Sequence, residues 1–397
     1  MKHTSTLALL TFLGLAASTQ AHDHGATTNI GDFNYATGSD VAFFGLTPHL
    51  HVVGGMGAST ADEIEELANG HHDPNHDNTL QSAEFALSGR FGEYVEGFFS
   101  HSYHSETEGG DTEYHHATEE LFLKLHNLPG GFEIRGGQFL NRFGFQNAVH
   151  NHAWDFSNQH LSNGAILQEG ELSTIGAEIT WRLPTEFPMA LSIYAGDAPE
   201  HEEEDHGGGG APPRFEGHEG ELDEDIIGLH FLATHNISDY HQLAATLSVT
   251  HGQNHFETDT TIVGAGLQYQ WRENGLEAGG RAIILRGELV YRTFEAINEN
   301  DPADIDDIEQ IGSYFSQIYQ HNTNWTFANR FGYVSGRDDA ELTERFRMSQ
   351  AVTWFANEQQ TFFSRLQLDN DWLDGSNMHD TTVWLQFGWN WGGPEVR

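Results

Sequence analysis

The chain has 397 residues, with 59 acidic against 17 basic side chains, a formal net charge of −42 and no cysteine. The missing cysteines exclude disulfides and thiolate metal sites. The charge disfavours nucleic acid and anionic membrane surfaces as partners and favours cations. A general solubilising charge is the alternative, although the acids cluster in a few segments while the stretches between them carry little net charge.

The first residues predict export. A short apolar run, Leu7–Ala17, leads to small residues and Ala21, so residues 1–21 are predicted to be a signal peptide. Residues 22–46 then form a predicted periplasmic segment that begins His22-Asp23-His24. No later stretch approaches the roughly 18 continuous apolar residues that a membrane helix needs. Any membrane residence would therefore have to come from strands.

About sixteen segments of roughly ten residues alternate between apolar and polar side chains, as transmembrane barrel strands do. In the clearest of them, Thr174–Leu183, one phase is apolar and would face lipid, while the other would face the lumen. The predicted fold is an all-β, antiparallel, up-and-down transmembrane barrel over residues 47–397. The predicted strands are 47–59, 79–90, 95–104, 117–126, 132–140, 172–183, 188–196, 226–234, 240–251, 260–271, 281–294, 310–320, 323–334, 343–355, 360–369 and 381–391.

The connections alternate between short and long, which is the pattern of short periplasmic turns and long extracellular loops. Several of the long ones are acidic, and both chain ends are predicted to be periplasmic. The predicted long connections are 60–78, 105–116, 141–171, 197–225, 295–309, 335–342 and 370–380.

Charged residues of the strands fall in the lumen phase, because a charge that faces lipid costs on the order of 2–4 kcal/mol near the bilayer midplane. They are predicted to line a pore, although they could also pair with one another across the lumen. The predicted pore-lining residues are Glu84, Arg90, Glu120, Lys124, Glu178, Arg182, Arg286, Glu288, Arg345, Arg347 and Arg365.

The long connection 141–171 is predicted to fold into the lumen, because a structureless segment of this length inside a regular fold is usually functional. It carries His150, His152, Asp155 and His160. Two imidazoles and a carboxylate form an incomplete Zn²⁺ shell, and a transport site needs that incompleteness so that the ion can leave. The alternative is that these histidines only hydrogen-bond to the barrel wall.

A second candidate metal segment is Gly70–Glu84. Asp73, Asn75 and Asp77 are spaced by two, and Glu84 lies eleven after Asp73, as in a Ca²⁺ loop. Asn78 stands where that loop has glycine, and a strand follows instead of a helix. The nearby histidines, His71, His72 and His76, favour Zn²⁺ over Ca²⁺. A solvated polar loop is the alternative.

Two further features bear on function. The tract Glu200–Asp225 is acidic, rich in histidine and glycine, and would either collect cations weakly or be inert. No Gly-x-Ser-x-Gly motif is present, and the neighbouring Ser and His residues of Ser100–His104 do not define a catalytic set. The chain is therefore predicted not to be an enzyme.

The sequence resembles a family of bacterial outer-membrane barrels described as zinc-regulated and often labelled TonB-dependent receptor-like. The resemblance rests on HHDPN at His71–Asn75, LQSAEFALSG at Leu80–Gly89, EELFLKLHNLPGGFEIRGGQFLNRFG at Glu119–Gly144, HNHAWDF at His150–Phe156 and VWLQF at Val383–Phe387. It implies movement of zinc or similar divalent ions, or of a metal-linked solute, across the outer membrane. TonB-dependent transporters have about 22 strands and a plugged lumen, for which residues 22–46 leave no room.

The predicted function is a porin-like outer-membrane channel for passive, cation-biased uptake of zinc, another divalent metal or a metal-linked solute. The alternatives are a general porin for small solutes with incidental histidines, and a closed surface-binding barrel. No cofactor is required; Zn²⁺ is the favoured ion and Ca²⁺ the less favoured one. The predicted partners are outer-membrane lipid, the barrel assembly machinery and further copies of the chain in a homotrimer.

Overall fold

The computed structural model is a closed barrel of sixteen antiparallel strands, in which each strand pairs with its neighbours in sequence and β1 pairs with β16. The structure describes residues 46–61, 67–68, 70, 72–108, 111–199, 214–215, 217–275, 279–298, 301–358, 360–373 and 379–392. The predicted signal peptide, nearly all of the predicted periplasmic segment, His71 and most of the acidic tract lie outside these residues. The predicted fold class and strand number are confirmed.

Most strands run further than predicted, whereas β6, β13 and β14 are slightly shorter. Their bounds are β1 Leu46–Ser59, β2 Asn78–Phe91, β3 Val95–Glu108, β4 Asp111–Leu128, β5 Phe132–Leu140, β6 Ser173–Arg182, β7 Met189–Asp197, β8 Leu222–Ser238, β9 His241–Asn254, β10 Asp259–Arg272, β11 Ala282–Asn298, β12 Asp301–Gln320, β13 Trp325–Val334, β14 Arg345–Phe355, β15 Phe362–Leu373 and β16 His379–Trp391.

The two faces of the strands differ as the alternating pattern predicts. Outward-facing Leu267 and Leu123 are each 61% exposed, whereas the inward-facing Gln268 next to Leu267 is 2% exposed. Successive side chains of a strand point to opposite faces, so one apolar phase is enough to coat the whole outside of the barrel. The apolar outside is the surface that a bilayer covers.

Two predicted long loops are wrong, and a third, 370–380, is strand on both sides of residues 374–378, which lie outside the described residues. The predicted loops 105–116 and 295–309 are mostly strand, because β3 pairs with β4 as far as Glu108 and Asp111, and β11 pairs with β12 as far as Asn298 and Asp301. The outward face of the β11–β12 end is largely polar, with exposed Glu295, Asp307 and Glu309, while its inward side chains Ala296 and Ile308 pack in a small apolar cluster. The outward apolar phase that marks a membrane strand is therefore interrupted there.

The other long connections gather at one end of the barrel, here called the long-loop end. They follow β1, β5, β7 and β13, while the connections that follow β2, β4, β6 and β8 form the short-turn end. Among the described residues no helix is long and apolar enough to cross a membrane. The connection after β5 contains the one-turn helix α1, Leu161–Gly164, and short 3₁₀ helices at Asn151–Ala153 and Gln168–Gly170.

The largest buried apolar cluster lies inside the barrel, between the wall and the connection after β5. Phe139 and Val290 come from strands, whereas Leu161, Ile166 and Leu167 come from that connection. An apolar contact inside an otherwise polar lumen fixes the connection in place, since its burial removes apolar area from water. This packing positions the polar groups described below.

Candidate metal site in the barrel lumen

Residues 141–172, here called the lumen loop, leave the wall at the end of β5 and return at the start of β6. The 3₁₀ helix Asn151–Ala153 contacts β1 and β2, and α1 contacts β12, β13 and β14. The lumen loop therefore crosses the barrel from one wall to the other. Any solute that passes through the lumen has to pass this loop.

Arginine side chains hold the lumen loop on the far wall. Arg330 donates to the carbonyl oxygens of Asn158 and Gln159 at 2.9 and 2.7 Å. Arg365 likewise donates to the carbonyl oxygen of Phe156 at 2.8 Å. Backbone carbonyls of an irregular segment need such donors once water is displaced. The fixed loop backbone then presents its histidines to the opposite wall.

Four side chains converge where the loop meets β2 and β4. His150 Nδ1 lies 3.1 Å from Glu84 Oε1, and His150 Nε2 lies 3.2 Å from Glu120 Oε2. His152 Nδ1 lies 3.2 Å from the other oxygen of Glu84. Ligand atoms of Glu84, His150 and His152 all lie within 4.8 Å of one another, and we call these three buried residues the inner cluster.

A second buried group lies closer to the long-loop end. Ligand atoms of His72, Glu119 and Glu171 also lie within 4.8 Å of one another, and these three residues form the outer cluster. His72 Nε2 lies 3.1 Å from Glu119 Oε1, and the hydroxyl of Ser102 donates to the same carboxylate. One imidazole and two carboxylates are ligands that suit Zn²⁺ and neighbouring divalent metals.

A β-bulge places both Glu119 and Glu120 on the lumen side of β4. The pairing of β3 with β4 shifts between Ser100 and His101, which face Glu120 and Thr118, so Glu119 is an extra residue in its strand. Glu119 and Glu120 are 8% and 2% exposed. Strict alternation would send one of two consecutive side chains toward lipid, and a bulge removes that constraint. Glu119 thus serves the outer cluster, while Glu120 contacts His150.

Two residues of the outer cluster, His72 and Glu171, have raised pKa values. Burial raises the pKa of Glu171, and the adjacent Glu119 adds to the effect, so that this pKa reaches about 8. Burial alone would lower the pKa of His72, but Glu119 and Glu171 outweigh it and raise the pKa to about 9. The carboxylates thus favour positive charge at this position. A divalent cation would release these protons when it binds.

The other predicted metal residues have other partners. Asp155 lies 3.9 Å from Arg286. Glu84, and not Asp155 as predicted, is the carboxylate that lies beside the two histidines. His160 stacks on Tyr314 with 3.5 Å between ring centroids. Both side chains help to seat the lumen loop on the far wall.

The predicted calcium loop is divided among three environments. Asp73 accepts a hydrogen bond from the backbone of Gln159 at 2.7 Å, Asp77 is exposed, and Glu84 belongs to the inner cluster. The lumen loop competes for Asp73, which explains why the regular spacing does not produce a common coordination sphere.

Nine of the eleven predicted pore-lining residues face the lumen and are buried. Their charges meet partners: Arg345 and Arg347 each donate to Asp371 at 2.8 Å, and Lys124 lies 2.9 Å from Glu96. The nine are Glu84, Glu120, Lys124, Glu178, Arg286, Glu288, Arg345, Arg347 and Arg365. The remaining two, Arg90 and Arg182, are exposed at the short-turn end, where they pair with Glu96 and Glu133.

The sequence pattern does not indicate a role for Glu119, Glu171 or the histidines of β1. Glu171 is only the last residue of the long connection, and Glu119 falls in the phase of a regular strand that would face lipid. The pattern His49-x-His51 did carry a signal, because two residues spaced by two share one face of a strand. Both are buried on the lumen side, at 0% and 3% exposure.

Known structures with the same architecture are bacterial porins and channels. The outer membrane channel DcaP of Acinetobacter baumannii is 11% identical, with a TM-score of 0.55, over 87% of this chain and 96% of that one. The anion-selective porin of Comamonas acidovorans is 10% identical, with a TM-score of 0.53, over 87% and 99%. The fold is that of the outer-membrane porins.

One further porin structure and one partial sequence relative are similar to this chain. The trimer form of OmpT, an outer membrane protein of Vibrio cholerae, is 10% identical with a TM-score of 0.50, over 87% of this chain and 99% of that one. An uncharacterized protein of Aquifex aeolicus is 34% identical over 73 residues, which are 18% of this chain and 15% of that protein. No protein-family model matches the chain. The porin likeness therefore concerns the fold.

Proposed function

We propose that the protein is an outer-membrane channel through which divalent cations, zinc foremost, diffuse passively. The observation that carries the proposal is the inner cluster, because it lies on the loop that crosses the lumen. An ion that moves through the barrel meets two imidazoles and a carboxylate at this point. Selectivity in channels arises from such groups at a narrow place.

The donor set is suited to transport. Glu84, His150 and His152 offer three ligand atoms, whereas a structural zinc site closes with four. An incomplete site leaves a position for water or for the next ligand, so that the ion can be released. Imidazole together with carboxylate prefers borderline metals such as Zn²⁺ over Ca²⁺, which takes six to eight oxygens.

The charge distribution supports a bias toward cations. The net charge is −42, and the β11–β12 hairpin at the long-loop end carries four aspartates, of which Asp304 and Asp306 pair with Arg214 and Arg337, while Asp301 and Asp307 are exposed. Acids therefore outnumber bases at this mouth. A mouth of one sign raises the local concentration of the opposite ion. The porin of Comamonas acidovorans is described as anion-selective, and we infer the opposite preference here.

The location and the partners follow from the same proposal. The apolar belt requires outer-membrane lipid, and insertion of such a barrel requires the assembly machinery of that membrane. A homotrimer is proposed from the trimer form of OmpT. The resemblance to zinc-regulated barrels agrees with zinc as the transported ion. A catalytic role is not part of the proposal.

The test is single-channel recording of the purified protein in planar bilayers, with and without micromolar Zn²⁺. We expect cation-selective current that Zn²⁺ blocks or modulates. The double variant His150→Ala/His152→Ala should lose the response to Zn²⁺ while it still conducts monovalent cations. His230→Ala is the matched control, since His230 is a buried lumen-facing histidine that bonds to Ser248, away from both clusters.

Two results would contradict the proposal. Unselective current that is indifferent to Zn²⁺ would favour the second candidate, a general porin for small solutes, which the fold likeness also accommodates. The absence of any current would favour a closed surface-binding barrel. The burial of the lumen-facing charges fits such a closed lumen.

A further inference from the structure

The lumen charges are divided between two walls. Six buried arginines lie on β11, β13, β14 and β15, namely Arg286, Arg292, Arg330, Arg345, Arg347 and Arg365. The opposite wall, β1 to β4, carries both clusters at the level of the lumen loop. The first wall also carries buried acids, Glu288, Asp369 and Asp371, but its arginines outnumber them, whereas on β1 to β4 the buried acids outnumber Lys124. A cation is therefore repelled more by the first wall and attracted more by the second. Its path therefore follows β1 to β4.

Histidines continue this wall beyond the inner cluster toward the short-turn end. The ring of His152 stacks on that of His51 with 3.7 Å between centroids, and His51 lies 6.4 Å from His49. Both β1 histidines are held in place, since His51 Nδ1 lies 3.0 Å from Asn390 and His49 Nε2 lies 2.8 Å from Ser88. The imidazoles thus extend nearly to the start of β1.

Histidines also continue the wall beyond the outer cluster, in the opposite direction. His104 lies 5.4 Å from His72, and His115 lies 5.6 Å from His104, measured between ring centroids. His104 and His115 are paired across the β3–β4 hairpin, which projects at the long-loop end. An ion that enters along this hairpin meets imidazoles before it meets the outer cluster.

The two clusters are adjoining. Glu119 of the outer cluster and Glu120, which contacts His150, are consecutive residues whose Cα atoms are about 3.8 Å apart. Glu171 interacts electrostatically with both His72 and His150. An ion that leaves one cluster therefore has ligands of the other within a few ångströms.

We propose that the β1 to β4 wall is a relay for a borderline divalent cation, with the outer and inner clusters as two binding stations in series. His115 and His104 form its entry and His51 and His49 its exit. This inference rests on the proposed channel function and extends it to a path. Conduction through a selective pore needs several weak sites rather than one tight site, because an ion must leave as readily as it enters.

The first experiment measures binding stoichiometry. Isothermal titration of the purified protein in detergent with Zn²⁺ should give two ions per chain. Glu119→Gln should remove one ion, and His150→Ala/His152→Ala should remove the other. A stoichiometry of one for the unaltered chain, or the loss of both ions in either variant, would overturn the series of two stations.

The second experiment measures flux. The protein is placed in vesicles that contain a zinc-sensitive dye, and Zn²⁺ is added outside. We expect His51→Ala and His104→Ala to keep both bound ions but to lower Zn²⁺ entry by about tenfold, since the loss of a side chain that supports a metal site commonly costs 10–100-fold. Potassium conductance should stay unchanged, as should Zn²⁺ entry in His230→Ala.

The outcomes separate the two proposals. Zn²⁺ entry at the unaltered rate in both the His51 and the His104 variants would overturn the relay and leave the channel intact. Absence of Zn²⁺ entry with the unaltered protein, in vesicles where potassium current proves an open pore, would overturn the zinc channel and the relay together.

Discussion

The side chain of Asn147 forms a two-way amide pair with the backbone of Leu172. Leu172 N–H donates to Asn147 Oδ1 at 2.8 Å, and Asn147 Nδ2 donates to the carbonyl oxygen of Leu172 at 2.7 Å. The same nitrogen donates to the carbonyl oxygen of Asn141 at 2.8 Å. One side chain thus joins the two ends of the lumen loop.

Asn147→Ala should loosen the lumen loop. The Leu172 N–H and the Asn141 carbonyl oxygen lose the Asn147 side chain as a partner, whereas the Leu172 carbonyl oxygen still accepts from Asn141 N–H. The free energy of unfolding should therefore fall by about 1–3 kcal/mol. Single-channel current should become noisier, because the constriction is less firmly held. Urea unfolding followed by tryptophan fluorescence, together with bilayer recording, checks both effects. Asn236→Ala, an exposed asparagine near a turn, is the control; equal behaviour of the two variants would refute the role of Asn147.

Deletion of Glu119 should remove the bulge in β4. The barrel should still form with the same faces, because Thr118 already pairs with His101 and would follow Glu120 in regular alternation, so His115 stays inward and His116 outward. Zinc binding should fall from two ions to one. Glu119→Gln provides the comparison, since it removes the ligand and keeps the bulge. A cysteine at position 116 should react equally with a membrane-impermeant reagent in both variants, and a difference in labelling would contradict the prediction.

His160 should make the protein less stable in acid. Burial lowers the pKa of His160 well below its usual value, and Arg330 and Arg286 lower it further. The folded state therefore keeps His160 neutral, whereas the unfolded chain takes up a proton below about pH 6.5. The contribution to stability is present above that pH and is lost as the pH falls, by about 2 kcal/mol between pH 8 and pH 5.

His160→Phe should remove this dependence, because phenylalanine retains the stacking on Tyr314 without a titrating group. Unfolding free energies at pH 5 and pH 8 for the two proteins give the comparison. Other acidic and basic groups contribute equally to both, so they cancel in the difference. A slope with pH that is unaffected by the substitution would show that His160 is protonated in the folded protein.

Leu267→Arg should test the lipid-facing surface. Leu267 lies in the middle part of β10, faces outward and is 61% exposed. An arginine that faces lipid near the midplane costs about 2–4 kcal/mol, and the cost falls to about 0–1 kcal/mol near the interface. Ile237→Arg is the matched control, since Ile237 is similarly exposed but lies at the end of β8. Equal costs at the two positions, measured by unfolding in lipid vesicles, would place the belt elsewhere.

The fold could be predicted because lipid and water impose opposite demands on the two faces of every strand. Thr174–Leu183 carries that alternation plainly, and its predicted faces agree with the burial of β6. The hairpin ends at Glu108 and Asn298 do not show this pattern, because they extend past the apolar belt and their outward side chains are mostly polar. A strand without an apolar outward phase lacks the period that identifies a membrane strand.

The candidate site could be predicted only in part. His150 and His152 were found because they lie close together in a long connection, but their carboxylate partner is Glu84 and not the nearby Asp155. Glu84 comes from another strand, and long-range pairing of this kind is not encoded in local spacing. Glu119 was missed because a bulge has no sequence signature that alternation can reveal.

The pairing of β1 with β16 ties the site to closure of the barrel. His51 and Asn390 are 339 positions apart in the chain, and they face each other across the seam between the first and last strands. Their hydrogen bond requires this seam to be closed. A barrel that is open between β1 and β16 would therefore lack this support of His51 at the short-turn end.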